Sequence, residues 1–276
     1  MSIGARSVNN PAEAATVPLI DIRQGGGALA GSYLYEGDHL VTGWHHHDMH
    51  QIEYAVGGVV EVETADAHYL LPPHQFAWIP AGLAHRATMS ADLRTVSVMF
   101  GPELIARPGD RVRILAASAL IREMIVYSLR WPIDRAGGDR VADDYFRALG
   151  HVVSDALDHE APLSLPNSSD PIVAAAMEYT REHLDEVTID RVCRATAVSE
   201  RTLRRQFSAT VGMSWRAYLL RARLLRAMAL LATPDRSVGE VAAAVGFADV
   251  SAFARAFGQQ CGETPSAYRN RVRALP

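Results

Sequence analysis

The feature that most limits what this chain can fold into is an internal repeat, spaced 50 residues apart, in its last third. Arg205/Arg255, Gly212/Gly262, Ala217/Ala267, Tyr218/Tyr268 and Arg221/Arg271 all match at that spacing, as do Leu203 with Phe253 and Phe207 with Phe257. Ahead of each block, Ile189, Val192, Cys193 and Thr196, then Val238, Val241, Ala242 and Val245, stand at i, i+3, i+4 and i+7, one face of a helix. Two copies are too few for a solenoid. Each copy reads as an apolar helix, a tight turn ("TAVS", "VGFAD") and a second helix, over about 189–209 and 238–258. Ser237 with Glu240 forms a capping box for one first helix. Ser199 and Asp249 are strong N-caps for the two second helices.

Apolar stripes alone would also suit a plain helical bundle. The exposed positions favour a polyanion partner instead, because Arg201, Arg204 and Arg205 meet only Glu200 as an acid on the first second helix. The long helix between the copies adds Arg216, Arg221, Arg223 and Arg226. Charge divides the same way. Residues 1–170 hold 12 Arg against 21 Asp and Glu, a net of −9. Residues 171–276 hold 15 Arg against 10, a net of +5. All 27 basic residues are arginine.

The front of the chain follows a different period. Between about 30 and 100, short alternating runs such as "VVEVET" and "TVSVMF" are punctuated by "GG" at 57–58, "PP" at 72–73 and "PAG" at 80–82. That pattern predicts an antiparallel sandwich or barrel. From about 110 to 160 the period becomes helical, with Ile114, Leu120, Ile121, Met124 and Ile125 as a stripe. The stripe is expected either to pack on its own domain or to pair two copies into a homodimer. "APLSLPNSSDP" at 161–171 reads as a linker. With no apolar leader, no long uncharged apolar span and only Cys193 and Cys261, a cytoplasmic protein with no membrane partner is expected. Both cysteines read as small buried hydrophobes.

The run "VGFADVSAFARAFGQQCGETPSAYR", with the 100 or so residues around it, closely resembles the AraC/XylS family of bacterial transcription regulators. The resemblance implies two helix-turn-helix units joined by a long helix, their second helices entering successive major grooves about 34 Å apart. It therefore implies double-stranded promoter or operator DNA as partner, and RNA polymerase where the regulator activates. Mapped on this chain, Arg201 and Arg205 are expected at bases and Arg204 and Arg223 at phosphates, with Thr202 a further DNA-binding candidate. In the second unit Ser251 and Arg255 are the candidates, with Val250 against a thymine methyl.

The front half resembles a cupin, a jelly-roll barrel. "PAGLAH" fits its second motif and "GWHHHDMHQIEY" is similar to its first. Carry-over nominates His45, His47, Glu53 and His85 as an effector pocket or a metal set for Fe, Ni, Zn or Mn. The spacing from His47 to Glu53 is longer than usual, so His46 or His50 could replace one of them. Tyr54 and Trp78 are candidate pocket walls. Three readings follow: a pocket for a small organic effector, a metal as signal or anchor, and a metalloenzyme (oxygenase or isomerase) with a regulatory tail. Only the ligand set supports the last, so no enzyme is expected. The expected organisation is a cupin-like sensor over 1–105, a helical dimerisation segment over 106–160, the linker, and an all-helical DNA-binding domain over 172–273.

Overall fold

The computed structural model describes residues 17–37, 39–57, 59–73, 75–89, 93–158, 164–232 and 236–273. The first 16 residues, where a leader was sought, lie outside them, as do Gly58 of the turn at 57–58 and residues 161–163 of the expected linker. The chain divides into two compact units, one from Met1–Thr64 and Leu71–Leu163, the other from Ala65–Leu70 and Ser164–Pro276.

The first unit is built on antiparallel strands: β1 (Ala30–Gly37), β2 (Leu40–Val41), β3 (His50–Gly57) and β4 (Val60–Glu63). After β5 (Ala67–Leu71), which belongs to the second unit in all but its last residue, follow β6 (Gln75–Ile79), β7 (Arg86–Met89), β8 (Leu93–Phe100) and β9 (Arg113–Ala116). One sheet runs β1-β8-β3-β6-β9, and in the other β7 lies between β2 and β4. Register alternates the side chains of the first sheet cleanly. Ile52, Tyr54, Phe76, Trp78, Val96 and Phe100 share one face, and helices α1 (Ala119–Tyr127) and α2 (Arg140–Ala156) cover it with Ile121, Ile125, Phe146 and Leu149. Gln51, Glu53, Ala77, Thr95 and Ser97 share the other face, which is also buried.

This placement corrects two expectations. Ile114 belongs to β9, paired with Ala77 of β6, rather than to a helix. "RILA" is four residues with consecutive apolar positions, too short for its period to separate strand from helix, and α1 starts only after Ser118 caps it. Ile121 and Ile125 are 4% and 0% exposed in their own unit's core, so they cannot form an interface with a second copy.

The second unit holds the repeat: α3 (Pro171–Glu182), α4 (Ile189–Thr196), α5 (Glu200–Val211), α6 (Trp215–Ala232), α7 (Val238–Ala244), α8 (Val250–Cys261) and α9 (Pro265–Arg273). It also includes β10 (Ser164–Pro166), a strand inside the expected linker that pairs antiparallel with residues 67–69 of β5. "SLP" can pair there because Pro166, lacking an N–H, ends the strand.

Helices α5 and α8 are equivalent at 50 residues. Ser199 accepts from the Thr202 N–H at 3.2 Å, and Asp249 from Ser251 and Ala252 at 2.9 and 3.2 Å. Both helices end on a left-handed glycine, Gly212 at φ 72° and Gly262 at φ 73°. Behind them Phe207 meets Tyr218 edge-on at 5.4 Å, and Phe257 meets Tyr268 at 5.6 Å. The first turn bends at Ala197 (φ 56°) and the second at Gly246 (φ 82°). In each, an N–H just beyond the bend returns to the first helix, Val198 to Cys193 at 3.1 Å and Phe247 to Ala242 at 2.9 Å.

Candidate nucleic-acid interface and sensing site

On α5, burial of Leu203 and Phe207 turns Glu200, Arg201, Arg204 and Arg205 to solvent. Arg204 is tied to Glu200 one turn back, its Nε donating at 2.7 Å. Arg201 and Arg205 make no ion pair among the described residues, so their guanidinium donors are available to an acceptor in solution. Thr202 is half-buried, and its hydroxyl lies 2.9 Å from Ser199 Oγ, inside the cap. On α8, Val250 is 47% exposed beside exposed Ser251 and Arg255. The framework thus presents the first turns of two equivalent helices, one charged and one short-chained.

Arg223 does not join that surface. It is half-buried on α6, its Nε donates to Leu184 O at 2.8 Å, and its guanidinium lies 5.9 Å from the Phe247 ring centroid. These contacts tie it to neighbouring segments of its own unit rather than to the exposed arginines of α5. Helical periodicity could not reveal this, because both partners are distant in sequence.

In the first unit, His45 and His85 are bridged by reciprocal backbone hydrogen bonds of 2.9 Å, which bring their rings to 4.4 Å. His47 stands 5.1 Å from His85 and 6.2 Å from His45. Each Nδ1 faces a carbonyl two residues away: Gly43 at 2.8 Å, Met49 at 2.6 Å and Leu83 at 2.8 Å. Donation from Nδ1 leaves Nε2 of His45 and His85 as an acceptor. Burial, with each other's proximity, lowers the basicity of His45 and His47 and takes His85 down to about 3. Lowered basicity favours the neutral form of His45 and His85, whereas His47 sets both ring nitrogens against carbonyl oxygens, Met49 O and Gln51 Oε1.

Glu53 does not reach this trio. Gln51 stands between, its amide 2.8 Å from His47 Nε2 on one side and 2.9 Å from Glu53 Oε2 on the other. Ser97 donates to the same carboxylate oxygen, while Oε1 is buried with no partner. Burial raises the Glu53 pKa against the pull of these hydrogen bonds. Gln75 Oε1, on a neighbouring strand of the same face, is likewise buried without a partner, and Thr95 lies within reach of the Glu53 carboxylate. Gln51, Thr95 and Ser97 are the residues sequence reasoning missed. Their signal was available, because strand alternation puts them on the Glu53 face.

The nominated four-ligand metal set is therefore not assembled. Among the described residues, no group of three or more His, Cys, Asp or Glu is arranged to hold a metal ion. His46 is engaged through its backbone with Pro18 and Ile20. His50 lies on the opposite face, accepting from the Ala81 N–H at 2.8 Å and packing 5.2 Å from Trp78. Tyr54 and Trp78 share that opposite face in the core under the helices, so they do not wall the Glu53 side. Adjacent strand residues such as Glu53 and Tyr54 cannot line one face. Burial pushes the Cys261 thiol up to about 11 and raises Cys193 as well, which keeps both protonated.

Two family models match the chain. One, described as an AraC-like ligand binding domain, covers residues 28–165, and one described as a helix-turn-helix domain covers 192–271. The HTH-type transcriptional regulator NimR of Escherichia coli (strain K12) is 27% identical over 238 residues, 85% of each chain. The regulatory protein SoxS of Salmonella typhimurium is 30% identical over 106 residues, 38% of this chain and 99% of that one. Among solved structures, the DNA-binding domain of AdpA in complex with a target DNA is 36% identical, covering 38% of this chain and 96% of that chain, with a TM-score of 0.36. Wild-type ToxT from Vibrio cholerae, bound to an unsaturated fatty acid, is 12% identical, covering 90% and 96%, with a TM-score of 0.38.

Proposed function

The chain belongs to the AraC family of DNA-binding transcription regulators, and from that premise we propose that its first unit reads a small effector on the Glu53 face of the five-stranded sheet. The observation that carries this reading is the buried carboxylate oxygen Oε1 of Glu53, left without a partner beside the orphaned Gln75 oxygen. A buried polar atom in that state costs about 1–3 kcal/mol, which a bound donor recovers. Register places no arginine on that face. The effector is therefore uncharged or cationic and rich in hydrogen-bonding groups; an anion would be buried there with no cation to balance it.

A reporter driven by an operator selected in vitro tests this against a chemical library sorted by charge. Responding compounds are expected to be neutral or cationic, and Glu53→Gln should abolish the response while operator binding without effector persists. Response to anions alone overturns the reading. The competing reading puts Fe, Ni, Zn or Mn on His45, His47 and His85, and needs Gln51 to release His47 Nε2. Metal analysis of chelator-free protein, with His85→Ala beside it, separates the two.

At the DNA, Arg201, Arg205, Ser251 and Arg255 read base edges in this account, with Val250 against a methyl group and Arg204 on the backbone. We place no reaction in the first unit. The working form is a cytoplasmic dimer that contacts RNA polymerase where it activates. No helix among the described residues is long and apolar enough to cross a membrane. Leu120 and Tyr127 of α1, both exposed, are the surface on which pairing of two copies is to be tested.

A further inference from the structure

We propose that Arg223 is the positioning residue that holds the two helix-turn-helix units at one fixed spacing, and so sets the operator geometry the chain accepts. A shared helix alone leaves each unit free to rock about its own end of α6. Arg223 sits on α6 where three segments meet, and it engages all of them.

From the first unit comes the loop after α3, whose Leu184 carbonyl accepts from Arg223 Nε at 2.8 Å. From the second unit comes the turn between α7 and α8, whose Phe247 ring lies under the guanidinium at 5.9 Å. The backbones of those two segments close on each other around this side chain. A Cβ built on Gly246 would fall 2.5 Å from Arg223 Nη2 and 2.6 Å from the Asp185 carbonyl oxygen. With φ at 82°, Gly246 is confined to glycine by conformation and by space together. The junction is thus a three-way contact between Leu184–Asp185, Arg223 and Gly246–Phe247.

The chemistry suits arginine specifically. A planar guanidinium can donate in its plane to a carbonyl while its face lies on an aromatic ring; a lysine ammonium cannot do both. Asp185 supplies the nearby negative charge that keeps the half-buried cation favourable. Arg226, one turn on, is exposed and makes no such contacts, so charge on α6 is not itself the device.

Two recognition helices held rigidly bind two half-sites with a large effective concentration, but only at the spacing they are held to. Loosening the junction should weaken the intact operator and broaden the accepted spacing, with each half-site bound as before.

The test uses the full chain and an operator obtained by in vitro selection. Affinities are measured for the intact site, for each half-site alone, and for sites with one or two base pairs inserted between the halves. Arg223→Lys keeps the charge and a long aliphatic stem on the helix, so it serves as the mild variant beside Arg223→Gln. Both are expected to bind half-sites within about twofold of the parent, lose about tenfold on the intact operator, and lose most of the discrimination against altered spacing. Gly246→Ala, which forces the same junction apart, should show the same pattern. The salt dependence of half-site binding should not change, whereas loss of a phosphate contact would reduce its slope by about one. If spacing preference survives in Arg223→Lys, or if half-site and intact-site affinities fall together, the proposal is overturned.

Discussion

The two helix-turn-helix units are the same machine in what they bury and different machines in what they show. Both pack a phenylalanine edge-on against a tyrosine, both cap the second helix with a short oxygen-bearing side chain, and both stop it on a left-handed glycine. On the surface, Glu200, Arg201 and Arg204 of α5 stand where α8 has Val250, Ser251 and Ala254; only Arg205 and Arg255 agree. Folding requirements hold the interior positions alike in both copies, while the exposed ones answer to different stretches of one operator. Under the proposed reading the first helix-turn-helix unit takes guanine and phosphate, the second methyl groups and short hydrogen-bonding edges.

The largest expected effect tests the shared interior. Phe207→Ala and Phe257→Ala should each destabilise the second unit by about 3–5 kcal/mol, read from urea unfolding of its helical signal. A difference between them of more than about half that would break the equivalence of the two cores. Next comes the divergent surface. Arg201→Ala should cost about 1–3 kcal/mol on the operator and relax preference at one base position. Ser251→Ala should cost less, and equal losses of Arg201→Ala on operator and random DNA would move Arg201 to the backbone class. A smaller effect sharpens the comparison at the caps, where Ser199→Ala and Asp249→Ala should each lower stability by about 1 kcal/mol. Asp249, accepting two N–H groups rather than one, is expected to cost more of the two. Smallest is Glu200→Gln, which frees Arg204 from an exposed pair for about 0.5 kcal/mol or less of stability. Operator affinity should rise slightly as an acid leaves the DNA face, and a fall would show that Glu200 contacts a base.

Much of the second unit was legible because its signals agree. Periodicity, caps and turn residues all mark α4, α5, α7 and α8, and the repeat gives each signal twice. The first unit shows where such reading stops. Ile114 sits in a run too short for its period to decide, and only its pairing with Ala77 makes it a strand. Ile121 and Ile125 announced a face needing cover, but an amphipathic stripe does not name what covers it, and here it is the sheet of the same unit. The histidine trio was visible in its motifs. That Gln51 separates it from Glu53 depends on side-chain reach, which spacing does not carry. The contacts of Arg223 within the protein are hidden from sequence for a related reason. Its partners Leu184 and Phe247 lie 39 and 24 positions away, outside any local pattern.

The two turns also differ in which substitutions remain open to them. Ala197 holds a left-handed conformation that costs an L-residue roughly 1–2 kcal/mol, so a glycine there relieves strain at the expense of a more disordered unfolded chain. Gly246 has no such exit, since any side chain collides with the junction behind it. Under random mutation the first turn can drift in either direction while the second is held at one residue type. Repeat copies that began alike would in this way lose their interchangeability: the first unit could be replaced by a duplicate of the second at this turn, but the second could not be replaced by a duplicate of the first.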